Sequence, residues 1–479
     1  MRHGAGKTSL LLAVAAAGLM LAGWQRGDAG EPGAGAKMGD HPYDAFEPSE
    51  RCAACHKEIA LQYGKSAMAQ AQALPWDQAE YFQLALPHTR IEPRVAPVEA
   101  GCIQCHAPQA FLAGDVPPPV AGKADPKADG VSCDMCHAIT GFDGEAPANG
   151  NYVVSPGKVK HGSRKDAKPM GHGAGYYPLY EGAELCGTCH DESSPYGAWV
   201  KETYREWSRS PYREAGVSCL RCHVPPAAGK AAAMGPERPD VAQHVFQGAY
   251  SPAMLRGAAT LYLYPAAGET AAGRTLELSV VISNHRAGHR IPTGSTEERQ
   301  LWLRLEAKDA AGKIYHIPAP LAAGDSPEKS YSVTTNRPAW RDLGKMMGIA
   351  DFKGVPRDAL PEGDRLFRKV FLNPLGEETV AQWYAADTGV FDNRLKPLEA
   401  VVERYRWEVP ADVAKGPLTV TGALNYRRLP QSVADLEGLS VNAVVFVTPE
   451  RAVAATESGV ALSEDGGLTW RLLANDAGP

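Results

Sequence analysis

Hydrophobic and polar positions follow two different rules on either side of about residue 250. Before that point, apolar runs are short and broken by Gly, Pro and His. Two segments there, 57–74 and 197–209, carry apolar and aromatic residues at three- and four-residue spacing, which predicts helices. Beyond residue 255 the spacing shifts towards two. The runs 260–264, 275–283, 300–307, 313–317, 366–372, 401–409, 418–424 and 442–447 alternate or are β-rich, and Gly, Pro, Asp and Asn bound them, which predicts strands. Eight such runs point to an antiparallel β-sandwich, immunoglobulin-like in outline.

The first 29 residues obey neither rule. Arg2 and Lys7 precede an apolar stretch over 10–22, and Gly27-Asp28-Ala29 supplies small residues for cleavage, so 1–29 reads as a secretory signal. The apolar stretch is too short to span a bilayer comfortably, and no later segment approaches that length. The mature chain is expected in the periplasm, outside the cell or at its surface, with no transmembrane segment. Removing Arg2, Lys7, Arg26 and Asp28 takes away a net +2 and moves the formal charge from −6 to −8. Such an acidic surface argues against nucleic acid and for a basic docking face on a partner.

All ten cysteines fall in five Cys-x-x-Cys pairs, and a histidine follows each pair directly. The motifs are Cys52/Cys55/His56, Cys102/Cys105/His106, Cys133/Cys136/His137, Cys186/Cys189/His190 and Cys219/Cys222/His223. Disulfides, zinc sites or redox dithiols would not require His at that place each time. Attachment of c-type haem does. Two thiols with two residues between them reach the two vinyl groups of one porphyrin, and the adjacent imidazole reaches the iron as proximal ligand. Five covalent haems c are therefore expected over 52–223. They would fill much of a core that is otherwise poor in large apolar side chains.

The domain plan that results is α+β and multidomain. A signal (1–29) precedes a haem-packed, mainly helical and loop domain (30–250), a β-sandwich domain (255–450) and a C-terminal hairpin or tail (451–479). Residues 463–470 of that tail resemble a single Asp-box hairpin, too little for a propeller. A partial repeat also runs through the haem segment. Gly-Val-Ser introduces Cys133 and again Cys219, and Tyr63-x-x-Ser66-x-Met68 is echoed by Trp207-x-x-Ser210-x-Tyr212.

Function turns on the second axial ligand of each iron, because a saturated iron exchanges electrons and an open one can bind substrate. Eight histidines lie outside the motifs and the signal: His41, His88, His161, His172, His244, His285, His289 and His316. That is enough for every iron. His88, between two motifs, is one candidate.

Several segments resemble the multihaem cytochromes related to cytochrome c-554 and hydroxylamine oxidoreductase. These are 184–191, Thr203-x-x-Glu206-Trp207-x-x-Ser210-Pro211-Tyr212, Gly216-Val217-x-Cys219, His244-x-Phe246-x-Gly248 and Asn284-x-x-x-Gly288-His289-x-Ile291-Pro292-Thr293-Gly294. The resemblance implies electron transfer, with distal ligands at His172, His244 and His289. It departs at Met68, where relatives carry His. Met68 is then a thioether ligand, or it packs while His41, His161 or His316 serves, or that iron is open. If the segment were one continuous helix, Met68 would stand ~18 Å from His56 and would serve a different haem.

The expected function is electron transport between redox partner proteins, such as a quinol-linked membrane cytochrome. Two alternatives are a multihaem oxidoreductase acting on a small nitrogen or sulfur compound at one open haem, and a subunit of an extracellular cytochrome filament. An electron-transfer protein is favoured over a substrate-converting enzyme.

Overall fold

The computed structural model describes residues 35–119, 130–266, 270–320 and 331–436, and four later strands, Ala443–Thr448, Arg451–Thr456, Gly459–Ser463 and Arg471–Leu473. The expected signal, residues 120–129 and all but the first residue of the Asp-box-like segment lie outside the described residues. Among the described residues no helix is long and apolar enough to cross a membrane.

Helices in the first half are short. The segment 57–74, expected as one helix, is helical only over Lys57–Tyr63. Gly64 follows, and the chain turns until a new helix begins at Pro75–Ala79. Two bonds bend it: the Tyr63 hydroxyl donates to the Val131 carbonyl at 2.6 Å, and the Met68 carbonyl accepts from the Val131 amide at 3.1 Å. The argument that a continuous helix separates Met68 from His56 therefore does not apply. The segment 197–209 also divides. Trp199–Lys201 pairs with Glu192–Ser193 as a hairpin, with Gly197 at φ +88°, and the helix occupies only Thr203–Ser208.

The repeat seen in the sequence has a structural counterpart. As Tyr63 meets Val131, so the Trp207 indole donates to the Val217 carbonyl at 2.8 Å. As Met68 receives the Val131 amide, so the Tyr212 carbonyl receives that of Val217 at 2.9 Å. Gly130 is required by close approach, since a Cβ there would lie 2.6 Å from the Met68 carbonyl oxygen. Gly216 is required instead by its φ of +70°.

From residue 259 the chain is built from antiparallel strands. Strand Thr275–Asn284 alternates faithfully, burying Leu276, Leu278, Val280 and Ile282. It pairs with Ala259–Pro265 on one side and Ala400–Glu408 on the other, placing Leu276 opposite Trp407 and Leu278 opposite Tyr405. A second sheet centres on Gln300–Lys308 and Thr419–Arg427 and extends through the four later strands. Leu301, Leu303, Leu305, Leu424 and Tyr426 of this sheet share one apolar core with the first. Gly422 sits where strands from the two sheets approach closely, since a Cβ there would lie 2.8 Å from Leu263 and 3.0 Å from Leu305.

The run 366–372 is two strands in different sheets. Arg365–Phe367 pairs with Gln300–Lys308, and Lys369–Leu372 pairs with Ala386–Asp392. Between them Arg368 turns inward, its Nη1 bonding the buried Asp358 carboxylate at 2.8 Å, and this interrupts the ladder.

The two halves share contacts throughout. An apolar cluster joins Leu84, Val95 and Val98 to Trp340, Leu343, Val380, Trp383 and Val433. Arg394, almost fully buried, bonds Glu206 at 2.6 Å, Asp392 at 2.8 Å and the Pro292 carbonyl at 3.1 Å. Thr293 adds a 2.8 Å bond to Glu206, and Lys369 reaches Glu202 and the Trp199 carbonyl.

Truncating Leu303, 1 % exposed at the centre of the shared β core, is expected to cost ~2–5 kcal/mol in the Leu303→Ala variant. The same change at Tyr262, 51 % exposed, should stay within ~0.5 kcal/mol. Denaturant midpoints of the purified variants test both.

Candidate haem-binding site

Each Cys-x-x-Cys-His motif is closed by one helical turn. The amides of His56, His190 and His223 donate to the carbonyls of Cys52, Cys186 and Cys219 at 2.9, 2.9 and 3.0 Å. The other two motifs lie in the helices Val98–His106 and Cys133–His137, the latter capped by Ser132 Oγ on the Met135 amide. Residues i, i+3 and i+4 then share one face, which presents both thiols and the imidazole together.

All ten cysteines are free of disulfides. Sulfurs of different motifs nonetheless adjoin: Cys52 beside Cys133, Cys105 beside Cys189, and Cys186 beside Cys219. Cys136 lies near both Cys133 and Cys189. The five motifs thus form one contiguous cluster.

The thiols differ in exposure. Cys55 and Cys222 are exposed, whereas the other eight cysteines, Cys52, Cys102, Cys105, Cys133, Cys136, Cys186, Cys189 and Cys219, are half-buried. The reason is their place in the cluster. Cys55 and Cys222 belong to the first and last motifs, and in each of these the other thiol, Cys52 or Cys219, is the one that turns towards a neighbouring motif. Cys55 and Cys222 therefore face solvent.

Three motif histidines face a second imidazole across a nearly constant gap. Ring centroids lie 6.2 Å apart for His56 and His172, 6.2 Å for His137 and His244, and 6.3 Å for His223 and His289. One metal ion between two imidazole nitrogens, bonded at about 2 Å to each, needs such a spacing. The polarity of the rings agrees. Nδ1 of His56, His106, His137, His172, His244 and His289 lies 2.6–2.9 Å from the carbonyl oxygens of Ala231, Ala71, His161, Gly173, Ala242 and Arg290. His223 Nδ1 meets the Gln247 carbonyl in the same way. A carbonyl only accepts, so the proton is on Nδ1 and the Nε2 lone pair is left for a metal. Burial lowers the pKa of His137 and His289, and brings His190 and His244 to about 4, which keeps these rings neutral as ligands must be. Spacing, tautomer and charge state all fit an iron porphyrin held by two imidazoles.

The family model described as "Cytochrome c554 and c-prime" matches residues 51–138, which contain three of the five motifs. This segment of the chain is thus similar to a multihaem c-type cytochrome family. Among solved structures, a penta-heme cytochrome c552 from Thermochromatium tepidum is similar at 20 % identity over 84 % of this chain and 97 % of that one, with a TM-score of 0.52. At that identity the likeness concerns the fold. A sporulation control protein, Spo0M, from Bacillus subtilis is similar at 9 % identity over 47 % of this chain and 88 % of that one, and its TM-score of 0.13 carries no argument. No curated protein matched the chain.

The other candidate ligands are placed differently. His88 is buried with its Nδ1 3.1 Å from the Trp383 indole Nε1 and its ring edge-on to Tyr384. An indole N–H only donates, so the His88 proton is on Nε2, the reverse of the seven rings above. Met68 is half-buried at the bend described earlier. His316 donates from Nε2 to Asp364 at 2.7 Å in the β half. His161 is buried against Tyr177 with no hydrogen-bond partner on either ring nitrogen. Among the described residues, no second imidazole faces His106 or His190 as in the three pairs.

Sequence reasoning missed the carbonyl acceptors, which carry no side-chain signal. It also missed Tyr180, whose ring stacks 5.6 Å from His137 and whose hydroxyl bonds the carbonyls of Cys136 and Ile139.

Replacing His88 by Ala is expected to leave the visible haem spectrum unchanged. Stability should fall by ~1–3 kcal/mol, because the buried Trp383 indole loses its acceptor. Absorbance spectra and thermal melts of the variant separate the two effects.

Proposed function

We propose that this protein is an exported electron carrier with five covalent haems c, one at each Cys-x-x-Cys-His motif. The observation that carries the reading is the set of three imidazole pairs at 6.2–6.3 Å. In it, His172, His244 and His289 are the distal ligands opposite His56, His137 and His223. His88 holds Trp383, and Met68 serves the bend. Haem iron with two protein ligands supplies one-electron exchange and no place for a substrate.

The chain's own residues do the rest. Main-chain carbonyls fix each ring, and the thiols anchor the porphyrins. Cys55 and Cys222 keep that anchoring role, since a thioether needs reach and not burial, and their exposure suits the two end motifs to exchange with partners. The adjoining sulfurs bring the motifs close enough to make one path from end to end. The count of five has support from the five motifs and from the fold shared with a penta-heme protein. Periplasmic or extracellular location rests on the signal-like residues 1–29, and docking to a basic redox partner on the acidic mature charge. The two sheets around one core would form the β-sandwich that supplies His289.

A second reading, catalysis on a small nitrogen or sulfur compound, is favoured at His106 and His190, where no opposing imidazole is described. A high-spin ferric signal that shifts with nitrite, hydroxylamine or cyanide would support it.

The intact mature protein should have the mass of its polypeptide plus five haems, and low-spin bis-imidazole signals from at least three of them. His289→Ala should convert one such signal to high spin and leave the haem count unchanged. A colourless product of bare polypeptide mass would overturn the proposal, and so would a His289→Ala spectrum identical to wild type.

A further inference from the structure

Beside the second motif, three buried carboxylates converge from both halves of the chain. Ligand oxygens of Glu80, Glu297 and Glu298 all lie within 4.8 Å of one another, and all three residues are buried. Glu80 opens the π-helical turn Glu80–Ala85, a local distortion common at functional positions. Glu297 and Glu298 precede strand Gln300–Lys308. Burial raises their carboxyl pKa values, to about 7 for Glu80, about 8 for Glu297 and well above the usual range for Glu298. Three carboxylates so placed repel one another and are costly unless something neutralises them.

The protein's own cations do not complete that task. Lys201 Nζ bonds Glu192 at 2.7 Å and Gln382 at 2.6 Å. Arg299 lies 3.6 Å from Glu298 and spends Nη1 on the Arg428 carbonyl. Four carboxyl groups, Glu80, Glu192, Glu297 and Glu298, thus share two cations, Lys201 and Arg299, and the remainder must be neutralised by bound protons or by a further cation.

Hydrogen bonding is incomplete in the same place. Gln382 donates to one oxygen of Glu80 at 3.0 Å, and the Trp76 indole donates to one of Glu298. Glu297 is 8 % exposed, and neither of its carboxylate oxygens has a donor from another residue. An unpartnered buried carboxylate aimed at two others calls for a ligand that accepts several oxygens and carries two positive charges.

We propose that Glu80, Glu297 and Glu298 bind one calcium-type divalent cation. The donor set is all oxygen, without thiolate or imidazole, and so selects a hard cation. Calcium suits it better than magnesium, which demands near-ideal octahedral geometry and gives up its water reluctantly. The ion would join the helical segment of the first half to the strand of the second, beside the cavity that Glu80 lines together with Cys102 and His106.

The test uses the holoprotein after chelator treatment and desalting, titrated with calcium chloride by calorimetry and melted with and without calcium. About one calcium per chain, a raised melting temperature, and affinity weakened more than roughly tenfold in both Glu297→Gln and Glu298→Gln with unchanged haem spectra are expected. Failure of the wild-type holoprotein to bind calcium would overturn the proposal, as would binding undiminished in both variants. The wild-type titration stands even if a variant does not fold, and its outcome is independent of haem ligation.

Discussion

The bond on which this architecture depends joins an imidazole Nδ1 proton to a main-chain carbonyl, seven times over. It does two things at once. It selects the tautomer that leaves Nε2 basic, and it aims the ring, so that opposed rings meet at the separation one metal requires. His88 shows what the alternative looks like. Given a donor in place of an acceptor, the same side chain becomes a structural acceptor for Trp383.

The two halves are one physical object. His289 comes from the turn after a β strand and faces His223 of the last motif. Around that junction Glu202, Glu206, Arg394, Asp392 and Thr293 form an ionic network, in which the buried Arg394 is matched by three carboxylates and a carbonyl. Removing one partner from such a network exposes the others to an uncompensated charge. The β half therefore supplies one ring of an imidazole pair as well as adding mass.

Much of this was legible in the sequence. The haem motifs were unmistakable because covalent attachment fixes residue type and spacing together. Their burial was not legible, because motif spacing is the same for the exposed Cys55 and Cys222 as for the half-buried Cys105 and Cys189. Strands such as Thr275–Asn284 and Ala400–Glu408 were legible because one face is buried and alternation follows. The helix over 57–74 failed because its end is set by Val131, a residue distant in sequence, through bonds to Tyr63 and Met68. The run 366–372 failed because a buried arginine can end a strand within an apolar stretch. His172, His244 and His289 were suggested by resemblance, and their partners needed three dimensions. Glu80 lies far along the chain from the adjacent Glu297 and Glu298, and the three had no local signature.

Carbonyl oxygens are present whatever side chain a position carries. Positions 71, 231, 242, 247 and 290 can thus change identity and still orient the rings, provided the backbone path is kept, whereas a Cβ at Gly173 would press on Val159. The chemistry of such a site constrains a few cysteines and histidines and the shape of the loops between them. Such a scaffold can drift until little identity remains while its redox frame persists.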